Sequence, residues 1–355
     1  MGNITPGYND SEILFNGLLP PGLRNYGNSC YMNAGLQFLV NLDIFSNIHG
    51  IIVNNGSTQH ICRELLDILH KMSKLYKSNI SIQTQNLYKQ LQQSNPNLFN
   101  QKQQDAHEFI IYILEIIHNG TRKITKEKNL THDELEKISK KSTRPGLVYW
   151  NEYLRVNNSL MSNLISGQFR SRINCLKCGK FSDTYEPFWD IILALPINED
   201  NITTIGSCFR KFFEEQSIQH DNEPSTYKCS RCKDFVRATR CINISQFPKI
   251  MIVTLKRFNN CGQKCTKIVT FKTTGIVLKS ISETGIYKLI GVIEHNGNTL
   301  FQGHYITYSF KKSINQWFKF DDEIVTNVKL SDVEKAQAYC LLYYLESKVN
   351  ISQSK

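Results

Sequence analysis

The sequence predicts an α+β chain, helical in its first third and sheet-rich in the remainder, and three observations carry that prediction. Apolar residues recur at helical spacing after Cys30, again over 61–77, and again over about 104–118, where Ala106, Phe109, Ile110, Ile113, Leu114 and Ile117 share one face. After about residue 166 the pattern changes to short β-type runs: IMIVTLKRF at 250–258, YKLIGVIE at 287–294, GHYITYSF at 303–310, QWFKF at 316–320 and AYCLLYYL at 338–345. Composition is that of an ordinary globular protein: of 355 residues, 41% are hydrophobic and 21% charged, which excludes disordered and fibrous classes and leaves enough chain for a core without disulfides.

In chain order, residues 1–21 are polar and end in Pro20-Pro21-Gly22, which reads as a flexible N-terminal arm. The loop NYGNS, with Asn and Ser as caps, leads into a helix opened by Cys30. Residues 121–147 are charged and poorly patterned, a surface insertion or mobile loop with one short helix around DELEKI. The polar link KKSIN joins runs 303–310 and 316–320 as a hairpin. A turn centred near Ser313 sets His304 opposite Asp322 and Tyr305 opposite Asp321; a slip of one residue changes the pairing, so the hairpin leaves both acids open as partners of His304. The tail, 346–355, is expected to fray.

Eleven cysteines, an odd number, are scattered apart from two C-x-x-C pairs, which is no secreted disulfide framework. The N-terminus has no basic-then-apolar leader, MGNITP misses the myristoylation pattern at Pro6, and no apolar run reaches the ~18 residues of a membrane span. An intracellular protein with reduced thiols, cytoplasmic or nuclear, is expected. The net charge of +11 attracts anions in general and specifies no partner.

Four features carry chemistry. A thiol in the first turn of a helix, as at Cys30, faces unpaired N–H groups and the positive end of the helix dipole, which favours the nucleophilic thiolate. His304 follows Gly303, whose missing side chain permits close approach, and lies near two acids that could orient its ring. Asn25, five residues before Cys30, could join the Cys30 backbone N–H in stabilising an oxyanion. Cys175-x-x-Cys178 and Cys229-x-x-Cys232 can supply four thiolates to one tetrahedral zinc, although 50 residues separate the pairs and distant hairpins must meet. Cys261 and Cys265 read as exposed loop thiols; Cys62, Cys208, Cys241 and Cys340 read as packing residues.

The segment GLRNYGNSCYMNAGLQFL at 22–39 resembles the cysteine box of the ubiquitin-specific proteases, and IGVIEHNGNTLFQGHYITYSF with WFKFDDEIV resembles their histidine box. QKQQDAHEF at 101–109 is similar to the Gln-Asp box between them, and SGQFRSRINCLKCG, TLKRF and AYCLLYYL match further boxes in order across about 22–345. The resemblance implies a papain-like cysteine peptidase with a helical thumb (about 22–165, with the insertion 121–147), zinc-bearing β fingers (about 166–248) and a β-rich palm (about 249–345). It also implies Cys30 as nucleophile, His304 as general base and then acid, Asp321 as the orienting residue, Asp322 as an auxiliary and Asn25 in the oxyanion hole. Gln104 and Asp105 would help hold the ubiquitin tail, Gly303 and Tyr305 would line its path, and His295 would have a structural or lining role. His107 and Glu108 read as ordinary helix residues.

A thiol-dependent deubiquitinase with structural zinc and no catalytic cofactor is therefore expected. Its partners would be ubiquitin and ubiquitinated proteins, nucleic acid is not expected, and the chain is expected to be monomeric. The alternative of the same fold is a catalytically weak or inactive ubiquitin-binding module. A zinc-dependent nucleic-acid binder would suit the charge and the C-x-x-C pairs but leaves the Cys and His boxes unexplained.

Overall fold

The computed structural model describes residues 19–350 apart from 49–50, 52–53, 55, 76–79, 126, 197–200 and 219–226. Most of the expected N-terminal arm and the last five residues of the expected tail lie outside the described residues.

Four helices build the first layer: α1 (Cys30–Leu39), α2 (Gln59–Lys74), α3 (Gln85–Ser94) and α4 (Ala106–Thr121). Every residue of α1 is buried, because it is the central helix, covered by sheet on one side and by α4 on the other. Tyr31, Phe99 and Phe109 interlock there, with the Tyr31 and Phe109 rings edge-on at 5.9 Å. Each fully buried Leu, Ile or Phe of this layer contributes about 1.5–3 kcal/mol of hydrophobic stabilisation before entropy is counted. Helix α4 starts two residues later than its apolar pattern predicts. Asp105 is its N-cap, extended at ψ 123° and accepting the His107 N–H at 2.7 Å, so Gln104 stands outside the helix.

The expected insertion is more ordered than its composition predicts. Thr131 and Glu134 form a reciprocal capping box that starts a helix over His132–Lys140. A second helix, Pro145–Val156, opens with proline and carries Glu152, which accepts the Leu130 N–H and pairs with Arg155. Arg155 also reaches back to the Lys128 carbonyl, so the segment is stapled to itself.

The main sheet runs, from edge to edge, Ile324–Val328, Gln316–Asp321, Gln302–Lys311, Glu283–Thr299, Ala338–Asn350, Ile250–Lys256 and Asp190–Ala194, with Ile276–Lys279 added beside Glu283–Thr299. Its neighbours are antiparallel except the last pair on the path. The Asp190–Ala194 strand lies within the span read as fingers but pairs in this main sheet. Within the expected tail, Ser347 to Asn350 pair with Ile286 to Glu283. A separate four-stranded sheet, ordered Phe181–Phe188, Gly167–Cys175, Ala238–Gln246, Gln216–Ser217, projects the cysteine pairs.

Two hydroxyls lock α1 onto the main sheet. Thr307 donates to the Ala34 carbonyl at 2.9 Å and Ser309 to the Gln37 carbonyl at 3.2 Å. They share one face of the Gln302–Lys311 strand, so that strand is held against the helix opened by Cys30. Among the described residues no helix is long and apolar enough to cross a membrane.

Candidate active site

Cys30 occupies the first turn of α1 and is fully buried. The loop before it does not cap the helix with a side chain. The Ser29 hydroxyl instead accepts the Tyr26 N–H at 2.9 Å and donates to Asn25 Oδ1 at 3.1 Å, which leaves the positive helix end open at the sulfur. The thiol reaches Gln103 Oε1 at 3.5 Å. Gln103 is the neighbour of the glutamine singled out from the sequence; Gln104 turns instead to Asn100 Oδ1 at 2.7 Å.

His304 comes from the opposite layer, at the start of the Gln302–Lys311 strand. Its Nε2 pairs with Asp321 Oδ1 at 2.7 Å and lies 3.9 Å from Asp322 Oδ2. With Nε2 engaged, Nδ1 is the ring atom left for the sulfur. The hydrogen bond to Cys30 is the main cause that lifts the His304 pKa to about 9, with the Asp321 hydrogen bond adding to it against the effect of burial. Residues 274 positions apart in the chain thus meet. The hairpin register differs from the expected one by a residue: Thr307 pairs with Phe320 and Lys311 with Gln316, because a 3₁₀ turn over Lys312–Ile314 ends on Asn315 in the left-handed region (φ 51°). The slip leaves His304 beyond the paired stretch, and its ring reaches Asp321.

Asp322, also left-handed at φ 54°, faces the nucleophile loop. Its two oxygens accept from Asn25 Nδ2 at 2.7 Å and Asn33 Nδ2 at 2.8 Å, and its carbonyl accepts the Leu23 N–H at 2.9 Å. Close backbone approach here requires Gly22, where a Cβ would meet the Glu323 carbonyl oxygen at 2.4 Å. One carboxylate therefore fastens the strand carrying the imidazole's partner to the loop carrying the nucleophile.

The other sequence-derived positions are brought nearby in unequal ways. Both oxygens of Asp105 accept from the Tyr339 hydroxyl at 2.7 Å, so this acid caps α4 and buttresses the last strand at once. His295 is 0% exposed, and neither ring nitrogen has a partner. Burial, with help from Lys264 and His304, pulls its pKa down to about 4, and the ring is neutral. It lies directly beneath Gly303, where a Cβ would come within 2.3 Å of its Nε2. Tyr305 is buried too, at 1% exposure, so both aromatic rings form the floor below His304 and neither faces solvent. Sequence reasoning missed the pair His107–Asp190, at 2.8 Å, which bridges α4 to the edge strand of the main sheet; nothing in the sequence couples residues 83 apart.

A cleft of about 740 Å³ opens beside Cys30, lined by amides of Asn28, Asn100, Gln103 and Gln302 together with Phe301 and Gly303. At the far end of the finger sheet, Cys175, Cys178, Cys229 and Cys232 bring their sulfurs within 4.8 Å of one another and could hold a metal ion. Cys175–Cys232 and Cys178–Cys229 are separated by 3.9 and 3.7 Å. The backbone N–H of Cys232 aims at the Cys229 sulfur and draws its pKa down to about 6. Cys261 and Cys265 are exposed, as expected; Cys62, Cys208 and Cys340 are buried, whereas Cys241 is only partly so.

Comparison with known proteins follows the same geometry. The profile of the family described as ubiquitin carboxyl-terminal hydrolase matches residues 21–343. Ubiquitin carboxyl-terminal hydrolase 2 of Gallus gallus is 31% identical over 341 residues, covering 92% of this chain and 93% of that protein. The Homo sapiens protein of that name is 29% identical over 344 residues, covering 92% of this chain but 55% of its own length, so the chain spans about half of that relative. Among solved structures, a SAGA DUB module bound to monoubiquitin superposes with a TM-score of 0.72 at 25% identity, covering 92% of this chain and 69% of that one. The SAGA Ubp8/Sgf11/Sus1/Sgf73 DUB module bound to ubiquitin aldehyde gives 0.68 at 25% identity, covering 92% and 70%.

Proposed function

This chain belongs to the ubiquitin carboxyl-terminal hydrolase family, and we propose that it is a thiol-dependent deubiquitinase that hydrolyses the isopeptide or peptide bond after the C-terminal glycine of ubiquitin. The observation that carries the reading is the line Cys30–His304–Asp321, assembled from two layers with a 2.7 Å hydrogen bond at its acid end.

In the proposed mechanism Cys30 and His304 share a proton as thiolate and imidazolium. The thiolate attacks the carbonyl carbon, and charge collects on its oxygen. The Cys30 backbone N–H and the second N–H of the Asn25 amide, the first being held by Asp322, are the donors for that oxyanion. His304 gives its proton to the departing amine as the tetrahedral intermediate collapses to a thioester on Cys30. Neutral His304 then takes a proton from water as the water oxygen attacks the thioester carbonyl. The tetrahedral intermediate collapses with cleavage of the C–S bond, the acid product releases its proton to solvent and leaves as the ubiquitin carboxylate, and Cys30 and His304 remain as the thiolate–imidazolium pair. Asp321 holds the ring by Nε2 throughout. The amide-lined cleft, with Gly303 and the Asp105 end of α4 at its border, is the proposed path of the ubiquitin tail. Gln103 touches the nucleophile, and Gln104, which lines the same cleft, keeps its expected role of holding the tail.

The four finger thiols support structural zinc. A tetrahedral ion with Zn–S bonds near 2.3 Å holds its sulfurs about 3.8 Å apart; the Cys175–Cys232 and Cys178–Cys229 separations fall on either side of that value, and all four sulfurs lie within 4.8 Å of one another. Bound zinc would tie two chain segments 50 residues apart into one tip; no step of the reaction passes through it.

Cleavage of di-ubiquitin by wild type and by Cys30→Ala tests the proposal. Release of monoubiquitin by the wild type alone supports it, and equal release by both defeats it.

A further inference from the structure

The fingertip carries a surface feature besides its four thiols. The two cysteine knuckles are held together not only by their sulfurs but by Leu176 N donating to the Arg237 carbonyl at 3.0 Å and Lys180 Nζ donating to Ser230 Oγ at 2.9 Å. Their union gathers exposed cations from both segments: Lys177 and Lys180 from the first, Lys228, Arg231, Lys233 and Arg237 from the second. Among the described residues of the two knuckles the one exposed acid is Asp234, itself paired with Lys177 at 3.6 Å. Amid these cations stand two phenyl rings, Phe181 at 56% and Phe235 at 58% exposure. One face of Phe181 is covered by the Arg172 guanidinium at 4.1 Å. The tip lies a full strand, Gly167–Cys175, or roughly 26 Å at 3.3 Å per residue, from the base of the finger sheet.

Exposed apolar surface rimmed by polar residues marks interaction sites. Cations alone would suit any acidic surface; cations with open phenyl faces suit a ligand that offers phosphates and flat bases together. We infer that the fingertip of this chain binds single-stranded nucleic acid, with phosphates on the knuckle cations and bases stacked on Phe235 and the free face of Phe181. The inference departs from the sequence-based expectation that nucleic acid is not a partner, because cations separated by some 50 residues in the chain come together only when the knuckles meet.

The test is fluorescence anisotropy of the zinc-loaded full chain with fluorescein-labelled 20-mers of oligo-U and oligo-dT across a salt series. Binding of either, with log affinity falling by about 0.7 per log salt for each phosphate contact, is expected. The double reversal Arg231→Glu, Lys233→Glu should weaken binding at least tenfold and flatten the salt slope. Phe235→Ala should weaken it roughly fivefold to tenfold with the slope unchanged, as loss of one stacked base predicts. Zinc content equal to wild type confirms that both variants fold. Absence of binding at low salt, binding that survives both variants, or displacement of the oligonucleotide by polyglutamate at equal charge would each overturn the inference, the last pointing to an acidic protein instead.

Discussion

The Asn25 amide donates to Asp322 Oδ2 at 2.7 Å, joining two residues 297 positions apart, one before the nucleophile and one after the acid that holds His304. Asp322 thereby positions an oxyanion donor rather than the imidazole, from which it stands 3.9 Å. The variant Asp322→Asn keeps size but lets Asn25 and Asn33 compete for one acceptor oxygen. Its kcat should fall by roughly 10²-fold, near the lower range for loss of an oxyanion donor, with KM little changed. Asp321→Asn should differ by moving the pH profile. Steady-state kinetics on ubiquitin with a fluorogenic amide separates the two, and equal pH shifts for both would refute distinct roles.

The pH dependence follows from His304. Its pKa rises from 6.5 to about 9, first through the Cys30 hydrogen bond and then through Asp321, so the folded state holds this proton more tightly than the unfolded chain. The linked stabilisation is complete below about 6.5 and is lost as pH rises through about 9. Turnover should show an alkaline limb near the same value, since above it the leaving amine has no proton donor. Removing the Asp321 carboxylate should bring that limb to lower pH; a limb that stays in place would contradict the assignment.

Gly303 has no room for a side chain. In Gly303→Ala the new Cβ would press on His295 Nε2 at 2.3 Å and on the Asn296 carbonyl oxygen at 2.7 Å, with a strain cost of about 1–3 kcal/mol. Activity should drop at least tenfold while the chain stays folded. Adding His295→Ala removes the harder of the two contacts and should recover part of the loss, measured by turnover and by thermal melting side by side. No recovery would mean that the backbone contact, not the buried imidazole, sets the limit.

Cys178→Ser removes one of the four finger thiols. Bound zinc should fall well below one ion per chain by elemental analysis, Tm should drop by several degrees, and the loss of ubiquitin affinity should exceed the loss of kcat. Wild-type zinc content and melting in this variant would remove the metal from the account.

Much of this architecture was legible because it depends on local chemistry. The apolar period of α1 and α4, the β-type runs from 250 onward and the thiol at a helix start all carry physical signals in neighbouring residues. What was not legible depends on register or distance. The hairpin register differs by one residue from the expected one because Asn315 takes a left-handed conformation inside a polar link that offers several turn centres. Gln103 and Gln104 are chemically identical neighbours, and only the start of α4 at Asp105 decides which reaches Cys30. The helix Pro145–Val156 has a single buried residue, Gly146, so its apolar period is weak. The strand pairing beyond 345 involves the mostly polar run Ser347 to Asn350, whose partners are more than 60 positions away.

The most direct test is reaction of the full chain with ubiquitin carrying a C-terminal electrophile, followed by peptide mapping. Cys30 is fully buried in this structure, so adduct formation requires both the nucleophile and an opened tail path. The account predicts one adduct per chain, mapped to Cys30 and lost in Cys30→Ala. An unmodified wild type that still binds ubiquitin, or an adduct on another cysteine that persists in Cys30→Ala, would contradict it and leave a binding module of the same fold.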